Sequence, residues 1–309
     1  MIAFVELYGQ DAELRLLAKL LSRLDRPTLI DVGSERGGLA DEMLRAGAEV
    51  LHAIDPHPDN VSALRTRFDA DARVTIHQCA VSDTDGSGRL HVSTTPGGAQ
   101  LSFGHTLLQR PDTDEIAWDD TLTVSTRSLD SLVETGELPT HVGILKIDTE
   151  GHDLAVIRGM GELKADIVMV EHWKDLPNGL GRCPWTTDEM TSALRVRGFT
   201  HFAFIVHRGA FSTLKWDDGE VEQGAMGNLV FLHDSVLDRL IHDVFAYAGR
   251  LAEQAVRVGQ TYVNAASDRL SVMDELRDAA EKRLQALEAT TEQLNIQRAE
   301  LEALRQKCP

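Results

Sequence analysis

Basic residues are scarce in this chain. Its 309 residues include 31 Lys and Arg against 49 Asp and Glu, a formal net charge of −18. Each nucleic-acid phosphate contact needs a cation, so this excess of carboxylates argues against a nucleic-acid partner. It argues equally against an anionic membrane surface, and no run of Lys or Arg offers a local exception. Cysteine is scarcer still. Cys79, Cys183 and Cys308 form an odd, scattered set without a C-x-x-C pair, which excludes a disulfide framework and a zinc-ligand spacing. The expected setting is therefore the reducing cytoplasm. The N-terminal Met1-Ile-Ala-Phe-Val-Glu6 lacks the basic-then-apolar order of a signal peptide. Nowhere do about eighteen uncharged apolar residues run together, so no membrane span is expected. Proline is missing from residue 234 to 308, where Gly249 and Gly259 are the only glycines.

The apolar residues fall into two textures. Leu14, Leu16, Leu17, Leu20, Leu21 and Leu24 recur at helical spacing, which predicts a helix over 11–24. Strand-like runs follow at 28–32, 50–54 and 74–77, separated by helical stretches at 37–46 and 59–68. Strand, helix, strand in short alternation is the pattern of a parallel sheet covered on both faces. After strand-like 89–94 and 121–126, the rhythm resumes with strands at 142–147, 167–170, 201–206 and 228–232 and helices at 153–159 and 187–197. The expected fold is thus α/β: a Rossmann-like, doubly wound sheet of seven strands, the last two antiparallel. Residues 95–120 between two strands carry Gly97-Gly98 and Pro111 and read as either a lid or a variable insertion.

Beyond His233 the texture becomes a heptad. Leu237, Ile241, Val244, Ala248, Leu251, Ala255, Val258 and Tyr262 keep a 4-3-4-3 spacing. After a phase shift the seam continues through Leu270, Met273, Ala280, Leu284, Leu287, Leu294 and Leu301, broken by Arg277, Thr291 and Arg298. The expected division is an α/β domain at 1–233 and a helical coiled-coil tail at 234–309. That tail would make a homo-oligomer held mainly by residues 237–262, with a distal half splayed or bound to another protein. A helical hairpin folded back on the domain is the alternative.

Chemistry concentrates at strand ends. Asp31-Val-Gly-Ser-Glu-Arg-Gly-Gly38 joins a strand to a helix, the nucleotide crevice of doubly wound folds. Where a dinucleotide fingerprint needs glycine there is Glu35, whose carboxylate would repel a pyrophosphate. S-adenosylmethionine carries a sulfonium and an amino group instead, and an acidic turn suits it. Asp31, Gly33, Ser34, Glu35 and Gly37 are the candidate cofactor residues of this turn. Asp55, ending the second strand, can accept both ribose hydroxyls of an adenosine. Asp148 ends the fourth strand and Glu171-His172 the fifth, at the same edge.

With these elements on one chain, the sequence resembles the FkbM-type methyltransferases from about Leu29 to Leu232. The glycine turn is similar to that family's D-V-G-x-x-x-G, and Ile54-Asp-Pro-His-Pro58 to its E-P-x-P element with Asp for Glu. Cys79-Ala-Val-Ser-Asp-Thr-Asp-Gly86 resembles the A-x-S-D-x-x-G loop, which would set Ala80 beside the adenine. Ser128-Leu-Asp-Ser-Leu132 is similar to the S-L-D element, and Leu145-Lys-Ile-Asp-Thr-Glu-Gly151 to the K-I-D-x-E-G signature. The resemblance implies transfer of a methyl group, usually to a hydroxyl of a sugar or secondary metabolite.

A hydroxyl must lose its proton as it attacks, and Asp148, Glu171, His172 or His152 could take it. Asp148 and Glu171 with a neutral His or Asn also resemble the magnesium site of catechol-type O-methyltransferases. Mg²⁺ is thus the alternative, although no residue is assigned to a metal. For Glu150, holding the turn by backbone bonds is as good a reading as catalysis. The other histidines read as incidental, and Trp173, Trp185 and Trp216 as core aromatics rather than sugar platforms. Acceptor specificity is expected in 95–120 and 175–185. Two other readings are a coiled-coil scaffold with an idle methyltransferase domain, and a nicotinamide oxidoreductase, the latter disfavoured by Glu35.

Overall fold

The computed structural model describes residues 10–113, 115–176, 181–208, 211–220 and 222–262, with 264, 269 and 282–283 beyond them. Helix α1 (Gln10–Leu21) leads to β1 (Thr28–Val32), α2 (Gly38–Arg45), β2 (Val50–Ile54), α3 (Pro58–Phe68) and β3 (Val74–His77). The middle of the chain holds β4 (Ala80–Val81), β5 (Gly86–Thr94), β6 (Ala117–Arg127) and α4 (Leu129–Glu134). Then come β7 (His141–Ile147), α5 (Asp153–Arg158), β8 (Lys164–Lys174), α6 (Thr187–Arg195), β9 (His201–Arg208), β10 (Phe211–Trp216) and β11 (Ala225–Leu232).

The main sheet has the order β10-β9-β11-β8-β7-β1-β2-β3. Strands β1, β2, β3, β7 and β8 are parallel, and β11 runs antiparallel to both β8 and β9. The expected seven strands are all present, and β9 and β11 do form an antiparallel pair. The count nevertheless needs correction to eight, because β10 adds an edge by pairing with β9. Strand β10, Phe-Ser-Thr-Leu-Lys-Trp, alternates too weakly to be read as a strand without its partner. Strands β4, β6 and β5 form a separate three-stranded sheet instead of extending the main one.

Alternation within single strands builds the two sides of the core. Ile30, Leu145, Val168 and Phe231 pack on one side with Leu154, Val156 and Phe199. Their neighbours Leu29, Ile144, Ile167 and Val230 pack on the other with Leu16, Leu17, Leu20 and Met43. Successive side chains point to opposite faces, so strands buried on both faces read as continuous apolar runs.

The chain divides into two compact units, Met1–Ala255 and Val256–Pro309. A helix begins at residue 234, and within the first unit its Val236, Leu240, Val244, Tyr247 and Leu251 are buried against α1 and the sheet. Tyr247 donates its hydroxyl to the Ala12 carbonyl at 2.6 Å, and Asp243 pairs with Arg23 and Lys19. Val244 and Leu251 of the expected heptad are therefore covered by this chain itself, while Leu237, Ile241 and Ala248 are half-buried. In the second unit residues 256–262 are helical. The distal seam, Leu270 to Leu301, lies outside the described residues. Among the described residues no helix is long and apolar enough to cross a membrane.

Candidate active site

The strand order reverses between β1 and β7, and a crevice opens where the strands diverge. A cavity of about 680 Å³ lies there, lined by the ends of β1, β2, β7 and β8. Gly33 shows why the turn cannot carry a side chain. Its φ is 77°, and a Cβ would sit 1.8 Å from the Asp148 carbonyl oxygen, so β1 and β7 could not close on each other. Ser34 lines the cavity and ties the strands together, donating to the Asp31 carbonyl at 2.7 Å and accepting from Ile54 N at 3.1 Å. Gly37 has a different role from the expected one. It does not line the cavity, and the space for its Cβ is filled by Phe68 and Leu64, so it lets α2 pack on α3.

Asp55 is held as a preformed acceptor. One oxygen accepts from Glu35 N at 2.9 Å, and the other from His57 N at 2.8 Å and Asn60 Nδ2 at 3.3 Å. Burial raises its pKa to about 7 against these hydrogen bonds. Of its about four lone-pair sites three are used, which leaves one on the oxygen facing Glu35 N for a further donor. Ala80 is buried in the cavity wall.

Residues 95–113 fold across this half of the cavity, which favours the lid reading over a free insertion. Ser102 donates to Glu35 at 2.5 Å, and its carbonyl accepts from Asn60 at 2.9 Å. The His105 ring stacks on His57 at 4.5 Å, and Trp118 Nε1 donates to the Gly104 carbonyl at 2.8 Å. On the other half, Thr106 donates to the Glu150 carbonyl at 3.1 Å. Arg110 donates to the same carbonyl at 2.5 Å and pairs with the Glu150 carboxylate at 3.4 Å. The lid thus touches both the glycine turn and the acidic centre.

That centre is built from charge. Lys146, the Lys of the K-I-D-x-E-G run, is buried with Asp31 at 3.2 Å and Asp148 at 3.4 Å. Burial works to lower its pKa, but the two carboxylates prevail and raise it. Asp148, Glu150 and Glu171 each place an oxygen within 4.8 Å of the others. Glu150, in a left-handed turn at φ 56°, has its pKa pushed up to about 7 by burial and by Asp148, against Arg110. Glu171 is raised well above the ordinary range by burial and by Asp148, Glu150 and Asp153. Among the described residues no ion pair reaches it. Asp153 is fully buried, accepts from Thr149 N at 3.0 Å and from Glu171 N at 3.3 Å, and so fixes the turn against β8.

Two expected bases stand apart from one another. His172 is not in the cavity lining. It faces the opposite side of β8 from Glu171, against Trp185 at 4.7 Å and Phe204 at 6.3 Å, and burial lowers its pKa to about 4. Its assignment as a base is therefore corrected to a core residue. His152 does line the cavity, but its Nε2 is engaged by Ser82 Oγ at 2.9 Å. Sequence reasoning missed Lys146, Arg110, Asn60, Asn228, His207 and Trp173, all of which line the cavity. Lys146 alone carried a local signal, inside a motif already singled out.

The family described as Methyltransferase FkbM domain matches residues 31–200. Hexuronic acid methyltransferase AglP of Haloferax volcanii is 28% identical over 155 residues, 50% of this chain and 58% of that protein. The chain thus spans little more than half the length of that relative. Methyltransferase FkbM from Methylobacillus flagellatus shares 13% identity at a TM-score of 0.39, over 66% of this chain and 43% of that one. A SAM dependent methyltransferase from Agrobacterium tumefaciens shares 11% at 0.40, over 72% and 61%.

Proposed function

The chain belongs to the FkbM methyltransferase family, and from that premise we propose that it moves the methyl group of S-adenosylmethionine to a sugar hydroxyl, with Glu171 as general base. The observation that carries this reading is Glu171, a carboxylate that no ion pair reaches among the described residues, facing the same cavity as the glycine turn and Asp55. The acceptor oxygen attacks the methyl carbon, the carbon–sulfur bond breaks, and the hydroxyl proton passes to Glu171. The sulfonium becomes the neutral thioether of S-adenosylhomocysteine. A carboxylate whose pKa is raised is a stronger base than an ordinary Glu. The sugar acceptor is supported by the hexuronic acid methyltransferase relative. Transfer of labelled methyl from S-adenosylmethionine to a sugar acceptor tests the reading directly.

A second reading is favoured by the spacing of Asp148, Glu150 and Glu171. Three hard oxygen ligands could hold Mg²⁺, which would lower the pKa of a bound hydroxyl. Activity abolished by EDTA and restored by Mg²⁺ would select it over the simple base.

On the cofactor side, Asp55→Ala should weaken S-adenosylhomocysteine binding at least about tenfold, since a hydrogen bond to a charged group is worth about 1.5–3 kcal/mol. The pH dependence has a definite sign. With a folded pKa raised from 3.8 to about 7, Asp55 holds a proton that the unfolded chain releases, so its contribution to stability falls as pH rises between those values. Ribose hydroxyls donate best to the ionised form, so affinity should rise from about pH 6 to 8 and flatten in Asp55→Asn. Calorimetry giving equal affinities across pH and in both variants would remove the ribose assignment.

For the tail we propose that self-association falls to residues beyond Ala255, because Val244 and Leu251 of the earlier stripe are already covered within the chain. Sedimentation equilibrium should show an oligomer for the full chain and a monomer for a chain ending at Ala255. A monomeric full chain at micromolar concentration rules this out. Truncation after His233 would instead expose the surface under Leu240, Val244 and Leu251.

A further inference from the structure

The lid carries an aromatic ring that the protein itself does not cover. Phe103 lines the cavity and is 53% exposed, although the backbone around it is pinned. Before it, Ser102 donates to Glu35, and the Ser102 carbonyl accepts from Asn60, which also donates to Asp55. The Phe103 carbonyl accepts from Ser93 Oγ, and the next carbonyl, of Gly104, accepts from Trp118. Apolar surface left in water forfeits the free energy of its burial. A ring on a backbone already ordered can cover a ligand with little further loss of freedom. The same lining holds Ala80, Leu90 and Leu107, which pack together with Val124 into an apolar wall.

Two residues on, His105 is oriented by a break in the ladder. The pairing of β5 with β6 slips between Val92 and Thr94, which frees the backbone of Ser93. Its N–H donates to His105 Nδ1 at 3.1 Å. An N–H cannot accept, so Nδ1 carries no proton and the neutral ring holds its hydrogen on Nε2. Burial lowers the pKa of this ring to about 4, which keeps it neutral at pH 7. The Nε2 atom is buried without a hydrogen-bond partner, an uncommon state for a donor, and the ring belongs to the cavity lining. Through its stacking on His57, His105 stands over the end of β2 that carries Asp55.

We propose that Phe103 and His105 complete the adenosine pocket from the lid, Phe103 covering the base and His105 donating its Nε2 hydrogen to the nucleoside. The proposal rests on the reading of S-adenosylmethionine as the cofactor and assigns the part of it that the lid recognises. Adenosine joins a flat base with unprotonated ring nitrogens to a ribose diol. The apolar wall and Phe103 suit the base, a neutral N–H suits a ring nitrogen, and Asp55 accepts from the ribose. The homocysteine end is charged and gains nothing from an apolar roof. The segment expected to read the acceptor thus serves the cofactor at Phe103 and His105. It reaches the acidic centre only further on, where Thr106 and Arg110 hold Glu150.

The test is titration calorimetry on the full chain with S-adenosylhomocysteine and with adenosine, the latter by competition where its own heat is small. Phe103→Ala should weaken both probes by the same factor, about fivefold to a hundredfold, as the loss of one base–aromatic stack would. Its melting midpoint without ligand should match wild type, because more than half of the residue is already in water. Phe103→Leu covers the case in which the Ala variant does not fold, and should weaken both probes equally but less. His105→Asn leaves an acceptor for Ser93 N and removes the Nε2 hydrogen; it should weaken both about threefold to tenfold, as a lost hydrogen bond would. Unchanged affinity in either position's variant overturns the contact assigned to that residue. A loss for S-adenosylhomocysteine alone, or a wild type that binds it but not adenosine, overturns the adenosine assignment. A wild-type chain that binds neither probe removes the parent reading instead.

Discussion

Glu171→Gln should slow methyl transfer by about 10²–10⁴-fold, the usual cost of removing a general base. Its affinity for S-adenosylhomocysteine should stay within a few fold of wild type. The three clustered carboxylates differ in how free they are. Asp148 is paired with Lys146 and Glu150 with Arg110, whereas Glu171 accepts no ion pair among the described residues. Its raised pKa also sets the pH profile. A base must be ionised to act, so the rate should climb with pH through that raised value, and the climb should vanish in Glu171→Gln. His172 supplies the contrast. Buried against Trp185 and Phe204, it should affect stability when replaced, and His172→Phe should retain most turnover. Near-normal turnover in Glu171→Gln, or a collapse of turnover in a well-folded His172→Phe, would overturn the assignment.

The exchange of His172 for Glu171 shows where the sequence stops being legible. Both residues end the same apolar run, and both were expected at the carboxyl edge. One step along a strand reverses the side chain, so only one of them can face the cavity. In a strand with one wet face, alternation would have said which. Strand β8 is buried on both faces, from Ala165 to Val170, and carries no such signal. Asp31, Asp55 and Asp148 were legible because strand ends and glycine turns are local. Ser102 meeting Glu35 across 67 residues, or Arg110 meeting Glu150 across 40, leaves no local trace. The first part of the tail meets a related limit. Periodicity reveals that a helix has an apolar stripe and its angle, but not what covers it, and α1 with the sheet reached Val244 and Leu251 first.

Lys146→Met should destabilise the protein by about 3–5 kcal/mol, because it strips from a buried carboxylate the cation that pairs with it among the described residues. Asp31 is 0% exposed and depends on Lys146 at 3.2 Å, with its second oxygen lacking a hydrogen-bond partner among the described residues. Methionine fills a similar volume, so the loss is one of charge and not of packing. For a domain of this size the melting midpoint should fall by roughly 6–20 °C. Two further measurements separate charge from other causes. Asp31→Asn placed in the Lys146→Met background should recover more than half of the loss, since the stranded charge is gone. Lowering the pH should also narrow the gap between Lys146→Met and wild type, because protonation neutralises Asp31 in the variant, whereas in wild type it would break the pair. The raised Lys146 pKa keeps the native ammonium charged across the whole neutral range, so wild type shows no matching transition from that residue. A double variant no more stable than Lys146→Met would mean that Lys146 acts through the shape of the turn, and the charge account would fail.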